Sequence, residues 1–142
     1  MIEDALAKGT TVRFRAEGIS MYPTIRNGEA ITVVRVATTD VVRGDVLLCR
    51  HGMRVLAHRV VGVATCGSER FFDLRGDAKA TCDASVAGGA VIGRVVGVGR
   101  NGRVIALSGR TARWRYYARA AASQAAAGFR GRWFTGIITS SS

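Results

Sequence analysis

The sequence predicts a mainly β fold, and three observations carry that reading. Eighteen glycines stand against a single proline, a balance that suits many tight turns between short strands. Turn dipeptides recur along the chain, at Asn27-Gly28, Arg43-Gly44, His51-Gly52 and Asn101-Gly102. Between them run segments that alternate apolar with polar residues or are rich in β-branched ones. With 142 residues, 48% of them hydrophobic, the chain fits one domain with a buried core rather than a disordered segment.

The elements follow in order. Residues 11–17 alternate with period two and predict a half-buried strand. A bend at Gly18 leads to Ser20-Met21-Tyr22-Pro23-Thr24, and the Asn27-Gly28 turn opens a second strand over 30–36. The turn at Arg43-Gly44-Asp45 leads into a strand over 46–50. His51-Gly52 then forms a hairpin tip with an exposed histidine, and 54–63 is the returning strand. A short strand over 71–74 ends at Gly76-Asp77, and Gly88-Gly89 breaks the chain before 90–98. The apolar run over 90–98 predicts a strand buried on both faces, which Asn101-Gly102 turns into a strand over 103–107. From Thr111 the spacing of Trp114, Tyr117, Ala118, Ala121, Ala122 and Ala125 changes to helical steps, with Thr111 as cap and Gly128 as stop. Residues 1–107 are thus read as a β-rich core, and 108–142 as a basic, aromatic helical extension of the same domain.

Charge is uneven along the chain. Residues 1–99 hold 13 Lys/Arg and all 10 acids, whereas residues 100–142 hold 8 arginines and no acid. The basic end points to an anionic partner. A basic helix with interleaved aromatics suits an anionic membrane surface, while packing on the core with solvated arginines is the plainer alternative. Nucleic acid is disfavoured, since no helix-turn-helix or RNA-binding signature appears. The N-terminal residues carry no apolar run of signal-peptide length and no membrane-spanning stretch occurs. These features predict a cytoplasmic protein, held at a membrane surface only if the basic tail adsorbs there. Cys49, Cys66 and Cys82 lack paired metal spacing and, with two histidines in all, predict buried or half-buried free thiols and no metal or cofactor.

A serine becomes a nucleophile only with a base in hydrogen-bonding reach. The available bases are Lys8, Lys79, His51 and His58. Gly18-Ile19-Ser20-Met21-Tyr22-Pro23-Thr24-Ile25, followed by Asn27-Gly28-Glu29, resembles the nucleophile box of the signal peptidase I and LexA-like serine peptidase clan. Gly44-Asp45-Val46 resembles the clan's next marker, and Ala57-His58-Arg59-Val60-Val61-Gly62 its general-base box. A histidine at the place of His58 is the pattern of the endoplasmic-reticulum and archaeal-type signal peptidases. Arg75-Gly76-Asp77 resembles their Gly-Asp box, Asp83 falls where their third catalytic residue lies, and Val91-Ile92-Gly93-Arg94-Val95 resembles the closing strand. The likeness covers residues 12–98 in the same order.

The resemblance implies a coiled, barrel-like β-sheet and a serine endopeptidase without cofactor, cutting a peptide or protein precursor through an acyl-enzyme. Ser20 is the expected nucleophile and His58 the expected base. An imidazole needs a partner to fix its tautomer, and Asp83 is favoured over Asp77, which is assigned to the turn, though the two roles are interchangeable on sequence grounds. Gly18, Ile19, Met21 and Pro23 are the expected oxyanion and substrate-groove residues, with Met21 and Pro23 also packing on the core. Gly18 stands where many signal peptidases carry a hydroxyl, so the oxyanion falls to backbone N–H groups. Lys79, as a Ser/Lys dyad, is the rival base. Three other readings stay open: a LexA-type regulator that cleaves itself or a partner once, an inactive peptide-binding module, and a basic surface binder.

Overall fold

Turn dipeptides fall where the chain reverses. The computed structural model describes residues 2–107 and 133–138. A short helix α1 (Ile2–Ala7) leads into strands β1 (Val12–Ala16), β2 (Ala30–Val34), β3 (Val46–His51) and β4 (Arg54–Cys66). Strands β5 (Glu69–Arg75), β6 (Ala84–Ala87), β7 (Val91–Arg100), β8 (Arg103–Ala106) and β9 (Trp133–Ile138) follow. Asn101 and Gly102 both take positive φ, 53° and 74°, the conformation of a two-residue hairpin turn that matches strand twist.

The strands form one open sheet whose path runs β6-β5-β4-β3-β7-β2-β1-β9, with β8 paired to β7 off that path. The ladders are antiparallel except β1 with β9, which is parallel. Strand β7 is the pivot. Its first half pairs with β3 through Val46↔Val95 and its second half with β8 through Val98↔Ile105, while β2 lies along the other edge. One long strand shared in this way lets the sheet coil, and Cα atoms of β9 come within 8 Å of β4.

Both faces of the sheet are covered. Along β3, Val46 and Leu48 enter a core with Leu6, Phe14, Met21, Ile31 and Val98. Leu47 and Cys49, on the opposite face, enter a second core with Val60, Phe72, Leu74 and Val86. The consecutive burial of Val95 to Val98 on β7 matches the apolar run that predicts it.

Three expectations are corrected, and two short elements go unforeseen. The sheet is not a closed barrel. Within the segment 108–142, read as a helical extension with its helix ending at Gly128, Trp133–Ile138 is a strand on the outer edge of β1; its aromatic and β-branched residues favour an extended backbone. The helix expected between Thr111 and Gly128 lies outside the described residues. Helix α1 and strand β6 had no clear pattern, being six and four residues long. Finally, only Cys49 is buried, whereas Cys66 and Cys82 are exposed because they sit at the far end of β4 and in the connection before β6.

Candidate active site

The loop between β1 and β2 begins with Gly18 at φ +96°, a backbone region that favours glycine. Gly18 N–H donates to Asn27 Oδ1 at 2.9 Å, tying the two ends of the loop. Within it, Tyr22 N–H donates to Ile19 O at 3.1 Å and Ile25 N–H to Met21 O at 2.9 Å. Met21 and Ile25 point into the core and hold the loop from below. From the side, Arg100 at the end of β7 grips Glu29 with Nε at 2.6 Å and Nη2 at 2.8 Å, and reaches Pro23 O and Thr24 O at 3.3 Å. Ser20 therefore stands on a braced turn, with its side chain largely buried while Ile19 beside it is 72% exposed. Pro23, expected in the core, is exposed and follows a cis peptide bond.

His58 lies on β4 opposite Leu47 of β3 and is 1% exposed. Its Nε2 is 3.1 Å from Ser20 Oγ. Its Nδ1 is 3.0 Å from Asp83 Oδ2, with the oxygen standing off the line of the ring N–H. The carboxylate at Nδ1 places the ring proton there, which leaves Nε2 to accept from the serine hydroxyl. Burial, the largest influence, pushes the imidazole below its ordinary value of 6.5, and the nearby Lys79 charge pushes the same way against Asp83. His58 is thus neutral, and able to act as a base, at pH 7.

Asp83 sits at the entry to β6, with its N–H donating to Leu74 O at 2.8 Å. Gly76 N–H donates to Asp83 Oδ2 at 2.7 Å, and Lys79 Nζ pairs with Oδ1 at 2.9 Å. Burial acts to raise this carboxyl, but the Lys79 bond, the Gly76 N–H and the His58 ring hold it below the usual carboxylate range. Asp77 faces elsewhere. Arg59 takes both its oxygens, Nε to Oδ1 at 2.7 Å and Nη2 to Oδ2 at 2.8 Å. Thr24 Oγ1 adds a bond to Oδ2 at 2.5 Å, and Arg59 Nη1 reaches Gly44 O at 2.8 Å. The structure therefore brings Ser20, His58 and Asp83 into one line and assigns Asp77 to a neighbouring clamp.

The clamp and the line share one seam. Ala78 N–H donates to Ser20 O at 2.9 Å, and a Cβ on Gly76 would come 2.5 Å from that same carbonyl. Sequence reasoning missed this contact, the Arg59 fork and the Arg100 brace; only the adjacency of Arg59 to His58 hinted at the second. Lys79, the rival base, is held on Asp83 while the Ser20 hydroxyl is held on His58. Among the described residues no cluster of His, Cys, Asp and Glu is arranged to hold a metal, and no helix is long and apolar enough to cross a membrane. Compared with known protein families, curated proteins and solved structures, the chain gives no match.

Proposed function

We propose that the protein is a serine endopeptidase of the signal-peptidase and LexA-like type, acting on a peptide or protein precursor. One observation carries this reading: the array Ser20 Oγ, His58 Nε2, His58 Nδ1 and Asp83 Oδ2, with the serine and histidine buried and successive contacts of 3.1 Å and 3.0 Å. Ser20 attacks the scissile carbonyl as His58 takes its proton. Asp83 orients the ring and stabilises the imidazolium, which then protonates the leaving amine. Water, activated in turn by His58, releases the acyl group. With glycine at position 18, the oxyanion is met by backbone N–H groups; among the described residues no acceptor takes the N–H of Ser20. The coiled sheet, with the serine on a loop beside β4, is consistent with the family's architecture, and the resemblance further implies an extended substrate with small residues before the cut.

The test is digestion of a diverse peptide library, read by mass spectrometry, with wild type beside Ser20→Ala and His58→Ala. Expected are products from the wild type alone, with each variant slower by about 10⁴–10⁶-fold. A folded wild type that yields no Ser20-dependent product from the library, and no self-cleavage fragment, overturns the reading in favour of a peptide-binding module.

A further inference from the structure

The connection between β5 and β6 carries a cation that the three-residue mechanism does not use. Lys79 Nζ lies 2.9 Å from Asp83 Oδ1, the oxygen turned away from the His58 contact. The same short turn supplies the other restraint, since Gly76 N–H holds Oδ2 at 2.7 Å. Lys79 N–H donates to Gly76 O at 2.9 Å and closes that turn. Both oxygens of the orienting carboxylate are therefore fixed by one loop, with the ammonium only 26% exposed.

We propose that Lys79 is a positioning residue of this site, a fourth member that clamps Asp83 and extends to lower pH the range in which His58 works as a base. Its catalytic meaning rests on the serine-peptidase reading; its electrostatic coupling to His58 does not.

Two physical effects follow from the placement. Asp83 Oδ2 already stands off the ring N–H axis, so rotation of the carboxylate is the weak point of the array, and a bond to Oδ1 resists it. Second, a fixed ammonium behind the carboxylate opposes a new positive charge on the imidazole. Around His58, Asp83 and Asp77 favour the protonated ring, while burial, Lys79 and His51 oppose it. Removing Lys79 leaves the two carboxylates less opposed, so His58 protonates at higher pH and the base is lost earlier on acidification.

The decisive measurement is an NMR titration of the imidazole protons in the full chain for wild type, Lys79→Met and Lys79→Arg. Expected is an upward move of the His58 titration in Lys79→Met and a return toward wild type in Lys79→Arg. On any peptide the library test yields, kcat/KM of Lys79→Met should fall about threefold or more further at pH 5.5 than at pH 8.5. An unmoved His58 titration in a folded variant overturns the proposal, even if Tm drops, because a plain structural anchor would lower Tm alone. Lys79→Gln replaces Lys79→Met should the latter fail to fold. A wild type that cuts nothing in a Ser20-dependent way sinks the peptidase reading, while the titration still decides the role of Lys79.

Discussion

Two aspartates six residues apart in the connection between β5 and β6 sit in unlike surroundings. Asp77 is held by a planar guanidinium fork from β4 and a hydroxyl from the loop that carries Ser20. Asp83 is shared among an imidazole, an ammonium and one backbone N–H. Burial acts to raise both carboxyls, and both are nevertheless held below the ordinary range by their partners. Ionisation alone therefore does not separate the carboxylate of the Arg59 clamp from the carboxylate beside His58. What separates them is the partner: Arg59 stays charged throughout, whereas His58 can gain and lose a proton, its value lowered from the ordinary imidazole one by burial.

The largest effect expected from this contrast is on the working side. Asp83→Asn should lower Ser20-dependent cleavage by about 10³–10⁴-fold, because an amide no longer selects the productive tautomer or stabilises the imidazolium. Its effect on folding should be small, since the Lys79 pair it breaks is partly solvated. Asp77→Asn should do the reverse, costing about 2–3 kcal/mol as Arg59 loses its half-buried counter-charge, with a much smaller loss of kcat/KM. Parallel urea melts and kinetics on the two variants measure this directly. A variant pair in which Asp77→Asn is the slower enzyme and Asp83→Asn the less stable protein would exchange the two roles.

Gly76 joins the two regions, so its substitution should disturb both at once. In Gly76→Ala the new methyl group must move the Ser20 carbonyl or the turn that carries Asp77, costing about 1–3 kcal/mol. Activity should fall together with stability, and separation of the two in this variant would show that the seam does not couple them.

Acid should act in two stages, first on the imidazole and then on the two aspartates. His58 is held below its ordinary 6.5, so the unfolded chain binds the extra proton first and stability begins to fall as pH drops below 6.5. Asp77 and Asp83, both lowered from 3.8, keep their stabilising pairs until pH falls below that value, and lose them as it passes the folded pKa values. Urea midpoints at pH 8, 5.5 and 3.5 should decline in that order. His58→Gln should remove the first decline and leave the second, and persistence of the first would place its origin elsewhere.

Much of this was legible in the sequence because turns and strands leave local marks. Asn-Gly and Arg-Gly-Asp turns fixed strand starts at β2, β3 and β8 to within a residue or two, and the apolar run of β7 announced burial on both faces. The pairing of Ser20 with His58, a contact of 3.1 Å in the structure, was implied by the resemblance and by no local pattern. What stayed hidden depends on distance in space. Nothing local says that Arg59 turns toward Asp77, that Arg100 reaches back to Pro23 and Thr24, or that Gly76 touches Ser20 O. Strand β6 escaped because four residues with one β-branched side chain give no period to read, and its place is set by pairing with β5. Trp133–Ile138 escaped because six residues past the expected helix stop at Gly128 carry no alternation, and their place is set by pairing with β1.

The smallest expected effect probes how rigidly Asp83 is held. Burial pushes the Cys49 thiol up to about 12, so it should resist iodoacetamide in the native protein, while exposed Cys66 and Cys82 react. Cys82 is the residue directly before Asp83. In a Cys66→Ser background, a maleimide adduct on Cys82 should therefore shift the start of β6 slightly and slow cleavage about threefold, since small misplacements at a catalytic group are felt in rate. The Asp77–Arg59 clamp, anchored on the other side of the turn, should leave the urea midpoint unchanged. Stoichiometric labelling read by mass spectrometry, with kcat/KM unaltered, would mean that Gly76, Lys79 and the Leu74 carbonyl together hold Asp83 against any push from its neighbour. The orienting carboxylate would then be as firmly built as the structural one.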